Sequence, residues 1–186
     1  MLTRKIFVTL YLLFLIVAVN ANETIQINQN QYFIDLNKKL VLTNIGVELV
    51  NSTWNGTKNH IYIGEACEFL NPVANIEIGV EYLIFIPSQN TNFSLFFTEL
   101  PIISINTDNT IVDEPNVLAN FKMIETNQNY LESYVGIQYR GASSQSYAKK
   151  SMEIEFWTDN TGSTTQDYSL LGMVNDDDWN LQAMYN

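Results

Sequence analysis

Cations are scarce in this chain: nine Lys and Arg residues stand against twenty Asp and Glu in 186 positions. Three of the nine fall in one segment, Tyr139-Arg140-Gly141-Ala142-Ser143-Ser144-Gln145-Ser146-Tyr147-Ala148-Lys149-Lys150-Ser151. Gly141 and the small polar run after it interrupt two strand-like stretches, so the backbone there can turn tightly and present N–H groups and hydroxyls to an anion. That chemistry suits phosphate, and an ordinary hairpin turn is the plainer alternative. Gly136 and Gly141 have the glycine spacing of a phosphate loop but lack its Lys-Ser/Thr ending, and the segment is not a kinase glycine-rich loop either. Beyond the turn, strand alternation puts Lys150 on one face with Met152, Ile154 and Phe156, and Lys149 on the other with Ser151, Glu153 and Glu155. A lysine on the apolar face either snorkels from a core edge or lies in a cleft and needs an anion there. The competing reading makes both lysines surface groups that screen Glu153 and Glu155.

A second segment, Ser169-Leu170-Leu171-Gly172-Met173-Val174-Asn175-Asp176-Asp177-Asp178-Trp179, gathers three carboxylates. Carboxylates bind Mg²⁺ and Ca²⁺, but three consecutive aspartates point in different directions. They precede Trp179–Tyr185, in which Leu181, Met184 and Tyr185 share a helical face. The expectation is therefore that one aspartate caps a helix, with the others favoured by its dipole. Leu171 and Trp179 read as packing residues.

Together the two segments resemble the CotH family of spore-coat-type kinases, secreted or surface proteins with an atypical protein-kinase-like fold that use ATP and a divalent metal. The matching positions are Arg140, Gly141, Ser143, Ser144, Tyr147, Lys149, Lys150 and Ser151, then Ser169 to Met173 and Asp176 to Trp179; Ala148 stands where the family usually has proline. The resemblance covers roughly residues 100–186. It implies that residues 99–186 are the N-terminal part of a kinase-like domain, β-rich and followed by a helix, with ATP and Mg²⁺ as cofactors. It further implies that Lys150, or less directly Lys149, contacts the phosphates while Arg140 and the Gly141–Ser144 loop orient them. The reaction implied is γ-phosphoryl transfer to Ser or Thr of a secreted or surface protein. Catalytic and metal-binding aspartates would come from sequence beyond Asn186, so residues 1–186 alone are expected to be inactive. A non-catalytic surface-binding or adhesion protein is the alternative.

The N-terminus sets the compartment. Residues 1–21 read as a secretory signal peptide, with Arg4 and Lys5 before the apolar run Ile6–Val19 and small-residue cleavage at Val19-Asn20-Ala21. An uncleaved anchor is the alternative, although the run is short for a membrane span. Cleavage leaves seven basic residues against twenty acidic ones, a net charge of −13. Such a field repels nucleic acid and anionic membranes, and it would repel ATP unless cations gather locally. The single cysteine, Cys67, excludes a disulfide framework; it lies in the run Ile61–Phe69, which alternates like a strand, and reads as a buried structural thiol. His60 is the sole histidine, so a histidine-rich zinc site is impossible and relay hydrolases have little support. The sequons at Asn22, Asn51, Asn55 and Asn92 matter only on a eukaryotic route.

The elements that must hold these residues read as mostly β. Residues 22–98 carry short β-type runs at Thr24–Ile27, Tyr32–Leu36, Lys39–Leu42, Val47–Val50, His60–Ile63, Asn75–Ile78, Tyr82–Ile86 and Phe93–Phe97. Turn signals punctuate them, which predicts an antiparallel, immunoglobulin-like β-sandwich module. From residue 99 onward, Pro101–Ile105, Ala119–Thr126 and Tyr134–Arg140 are further strand candidates, with Asn127–Ser133 as a hairpin loop. Four or five antiparallel strands followed by a helix are expected there.

Overall fold

A computed structural model describes residues 24–126 and 129–183. The signal peptide expected at residues 1–21 lies outside these, as do Met184 and Tyr185. The chain is mostly β and forms two curled sheets.

The first sheet is built from β1 (Thr24–Gln26), β2 (Tyr32–Asp35), β3 (Leu40–Thr43), β4 (Lys58–Tyr62), β5 (Ala66–Val73), β6 (Glu81–Ile86) and β7 (Thr91–Phe97). Their order is β1-β4-β5-β6-β7-β3-β2. Two pairings, β1 with β4 and β3 with β7, are parallel. A purely antiparallel sandwich of two facing sheets is therefore corrected to one seven-stranded mixed sheet curled around its own core. That core includes Ile25, Ile61, Ile84, Phe93, Leu95 and Phe97, each 0 or 1% exposed.

Three local expectations change in this sheet. Val47–Val50 is not a strand; helix α1 (Val47–Thr53) stands there, because Val47, Val50 and Trp54 meet the core at helical spacing. Asn75–Ile78 is a loop in which Ile76 is buried. The Asn51 side chain of α1 holds it by giving and receiving a hydrogen bond with the Ile76 backbone, both 2.8 Å. The run Ile61–Phe69 does not continue as one strand, because Gly64 at φ +85° turns it back to make the β4–β5 hairpin. A side chain at Gly64 would also meet the Tyr32 hydroxyl.

Lys58 is the unexpected core residue. It is 0% exposed, and its ammonium donates to the carbonyls of Ala74 (2.6 Å) and Gly56 (3.3 Å). Burial pushes its pKa down.

The second sheet is antiparallel throughout, in the order β12-β11-β10-β9-β8. Its strands are β8 (Ile102–Asn106), β9 (Val117–Ile124), β10 (Tyr130–Tyr139), β11 (Met152–Trp157) and β12 (Asp178–Leu181). The expected number of antiparallel strands is present. The β9–β10 loop is shorter than the expected Asn127–Ser133, closing with Glu125 N–H on the Asn129 carbonyl at 2.9 Å. The helix expected from Trp179 is corrected: Asp178–Leu181 is a strand, with Trp179 opposite Ile154 and Leu181 opposite Met152. Both side chains pack on the core of the sheet, so a two-residue period takes the place of the helical one. No aspartate of the triplet caps a helix as a result.

One face of this sheet carries the core, with Phe121 and Phe156 edge to face at 4.9 Å. On the other face Trp157 lies across Gly136, where a Cβ would collide with the indole. Gly136 thus serves ring packing within a strand and belongs to no phosphate loop. The sheets join between Phe97 and Ile102, and buried Asn44 donates to the Ile124 carbonyl across the junction at 3.0 Å.

Candidate functional site

The cationic segment is the β10–β11 connection. Arg140 N–H donates to the Ser151 carbonyl at 3.0 Å, closing its base. Gly141 at φ +89° supplies the left-handed residue that turns the chain, and a short 3₁₀ turn follows at Ser143–Ser146.

Lys150 continues the alternation that the sequence predicts. Its Nζ lies 4.3 Å from the ring centroid of Tyr139, and Tyr139 is directly opposite Met152. The ammonium therefore sits on the Met152 face, stabilised by the ring quadrupole. Lys149 is exposed and Lys150 half-buried. Both line a cavity of about 390 Å³ with Met152, Asn180, Leu181, Gln182 and Ala183. Its wall is held by Ser151, which is buried and whose Oγ accepts the Ala183 N–H at 3.0 Å. Among the described residues, neither lysine has a carboxylate within ion-pair distance.

Other residues assigned to phosphate are placed differently. Arg140 Nε lies 3.6 Å from Glu153 Oε2, on the face opposite Met152, so the structure groups Lys149 with Lys150 and separates Arg140 from them. The turn that contains Ser143 and Ser144 leans toward a carboxylate: Gln145 Nε2 donates to Asp113 Oδ1. Gln145 N–H bonds back to the Ala142 carbonyl at 3.4 Å. Tyr139 and Ser151 are the contributors that sequence reasoning missed. Their roles depend on pairing across the hairpin, and the only hint was their position at the two ends of the loop.

The second motif forms a pinned loop. Tyr168 and Asp176 exchange backbone hydrogen bonds at its neck. Leu170 enters the core, while Leu171, expected to pack, is 48% exposed and adopts φ +55°. The Glu125 carboxylate accepts the Leu171 N–H at 2.9 Å and fixes this conformation. Trp179 does pack, and its indole N–H donates to the Asp176 carbonyl at 2.9 Å.

The three aspartates have different environments. A hydrogen bond from Thr165 holds the Asp177 carboxyl below its usual range. Desolvation, then repulsion from Asp177, Glu155, Glu153 and Asp176, pushes Asp178 up. Among the described residues no group of three or more His, Cys, Asp and Glu side chains is arranged to hold a metal. Cys67 is fully buried, and burial followed by the Glu65 charge pushes its thiol up to about 12, which makes it inert as a nucleophile.

The lysine cavity can therefore hold an anion, and its lining contains no carboxylate or histidine. Comparison of the chain with known protein families, with curated proteins and with solved structures finds no match.

Proposed function

We propose that Lys150, with Lys149 beside it, contacts the phosphates of ATP in the N-terminal part of an exported, CotH-like atypical protein kinase. The observation that carries this reading is the pair of lysines lining one cavity without a carboxylate partner among the described residues. In a protein of net charge −11, two uncompensated ammonium groups in one concavity are a local reversal of sign, which an anionic ligand would complete. ATP would supply the phosphoryl group for a Ser or Thr hydroxyl of a secreted or surface protein. The lining fits the phosphates and does not fit Mg²⁺, since it offers no carboxylate. Arg140, Gly141, Ser143 and Ser144 keep at most a supporting role, given the ion pair with Glu153 and the lean of the turn toward Asp113. Those two engagements favour the second reading, a non-catalytic surface-binding protein.

Titration of Mg-ATP into the wild type, Lys150→Ala and Lys149→Ala separates the two. Loss of a charge-assisted contact of ~1.5–3 kcal/mol in Lys150→Ala weakens binding by roughly ten- to hundredfold. Lys149→Ala, from the exposed partner, changes it less. Equal, near-wild-type affinities in both variants, or no nucleotide binding by the wild type, would leave the surface-binding reading.

A further inference from the structure

A wider concavity than the lysine cavity lies elsewhere. It is a groove of about 810 Å³ between edge strand β2 of the first sheet and the non-core face of β8, β9 and β10 in the second. Tyr32 and Ile34 pack on the first core, so alternation turns Phe33 and Asp35 away from it, toward the groove. Across from them the paired strands present three rungs: Ile102, Ile124 and Tyr130; Ser104, Lys122 and Glu132; Asn106, Asn120 and Tyr134. The first rung is buried at its isoleucines, while Asn106 and Asn120 are exposed at the open end.

Two properties narrow what such a groove can take. Its charges are already neutralised from within, Lys122 with Glu132 at 3.0 Å and Lys38 with Asp35 at 3.3 Å. The Tyr130 hydroxyl adds a bond to Glu132 at 2.6 Å, which fixes the ring beside the ion pair. An ionic ligand would have to break these pairs. By contrast, the adjacent side-chain amides of Asn106 and Asn120 make no hydrogen bond among the described residues. Each offers two donors and an acceptor; Tyr134 stands directly opposite Asn120 in the same rung, and Phe33 and Tyr130 line the same groove. Unused planar amides beside aromatic faces suit a ligand that alternates hydroxyls with apolar C–H faces, as a pyranose does.

We infer that the β2–β8 groove is a binding site for a neutral oligosaccharide. Asn106 and Asn120 bond its hydroxyls, and Phe33 and Tyr130 stack on its ring faces. The site shares no residue with the lysine cavity and stands or falls apart from it.

The test is calorimetric titration of the chain with hexamers of β-1,4-linked glucose, β-1,4-linked N-acetylglucosamine and α-1,6-linked mannose, with oligogalacturonate as the anionic control. At least one neutral hexamer is expected to bind in the high micromolar to low millimolar range. Asn120→Ala and Tyr130→Ala should each weaken it about tenfold or more, Tyr130→Phe should retain most of it, and Lys150→Ala should leave it unchanged. Asn120 is exposed and Tyr130 36% exposed, and circular dichroism checks that the variants fold. Absence of binding by all three neutral hexamers, equal or tighter binding of oligogalacturonate, or wild-type affinity in Asn120→Ala and Tyr130→Ala would overturn the inference.

Discussion

In the first sheet the ammonium of Lys58 is wholly enclosed and committed to two backbone carbonyls, whereas in the second the ammonium of Lys150 rests on the Tyr139 ring at the wall of a cavity. The same contrast runs through the cores. Among the described residues, fifteen buried apolar residues cluster in the first half and eight in the second, so the first half is sealed by packing while the second keeps a polar face. Candidate chemistry concentrates in the half with the smaller core, where charged groups remain accessible. A buried charge without a carboxylate, as at Lys58, indicates a structural clamp; a half-exposed charge beside a concavity indicates an available ligand contact.

The sharpest way to break this contrast is to open the smaller core. Phe156→Ala removes a fully buried ring in edge contact with Phe121 and Tyr168, and should cost about 3–5 kcal/mol. Amide hydrogen exchange should then show lost protection in β9, β10 and β11 with the first sheet little changed. Equal loss in both sheets would mean that the two halves form one cooperative unit.

A smaller effect is expected where the open face is packed. Gly136→Ala drives a methyl into the Trp157 indole and should cost about 1–3 kcal/mol by overpacking. Gly56→Ala, with nothing within 4 Å of the new Cβ, should stay within about 0.5 kcal/mol. Thermal melts of the two variants measure the difference, and similar melting temperatures would remove Gly136 from the account of Trp157.

The smallest effect is electrostatic and opposite in sign. Asp178 has a folded-state pKa above its ordinary 3.8, so the folded chain binds this proton more tightly than the unfolded one. Its contribution therefore improves as pH falls through the folded value toward 3.8, and it is unfavourable above. Asp177, whose pKa is lowered, stabilises above its unfolded value and loses that contribution on acidification. Asp178→Asn should raise stability at neutral pH by less than ~1 kcal/mol, the side chain being exposed. The gain should vanish below pH 3.8 in denaturant titrations across pH. A loss of stability at neutral pH would contradict the repulsion described around Asp178.

Strands were legible where alternation is long and bounded by turn residues, as in β6, β7 and β11. The face taken by Lys150 was legible for the same reason, since it needs only the period of its own strand. Helix α1 was not, because Val47-Glu48-Leu49 alternates like a short strand, and the helical spacing of Val47, Val50 and Trp54 shows only over a longer window. Strand β12 failed in the reverse direction, because Leu181 fits either a two-residue alternation with Trp179 or a helical face with Met184 and Tyr185. Arg140 turns to Glu153 through hairpin register, which spacing along the chain does not encode. Lys58 lies in the polar run Asn55–His60, and its burial depends on carbonyls as remote as Ala74. The β2–β8 groove depends on residues some seventy positions apart meeting at the junction, as Phe33 and Ser104 do.

Enclosure also makes Lys58 a timer. Trypsin must draw several residues around a lysine into an extended form, and the peptide bond after Lys58 is out of reach while β4 is paired on both sides. Cleavage there occurs only through molecules whose first half has transiently opened. When reclosing outpaces the protease, the cutting rate reads the free energy of that opening directly. Amine acylation follows the same rule, so Lys149 is modified at once and Lys58 only as often as its sheet comes apart.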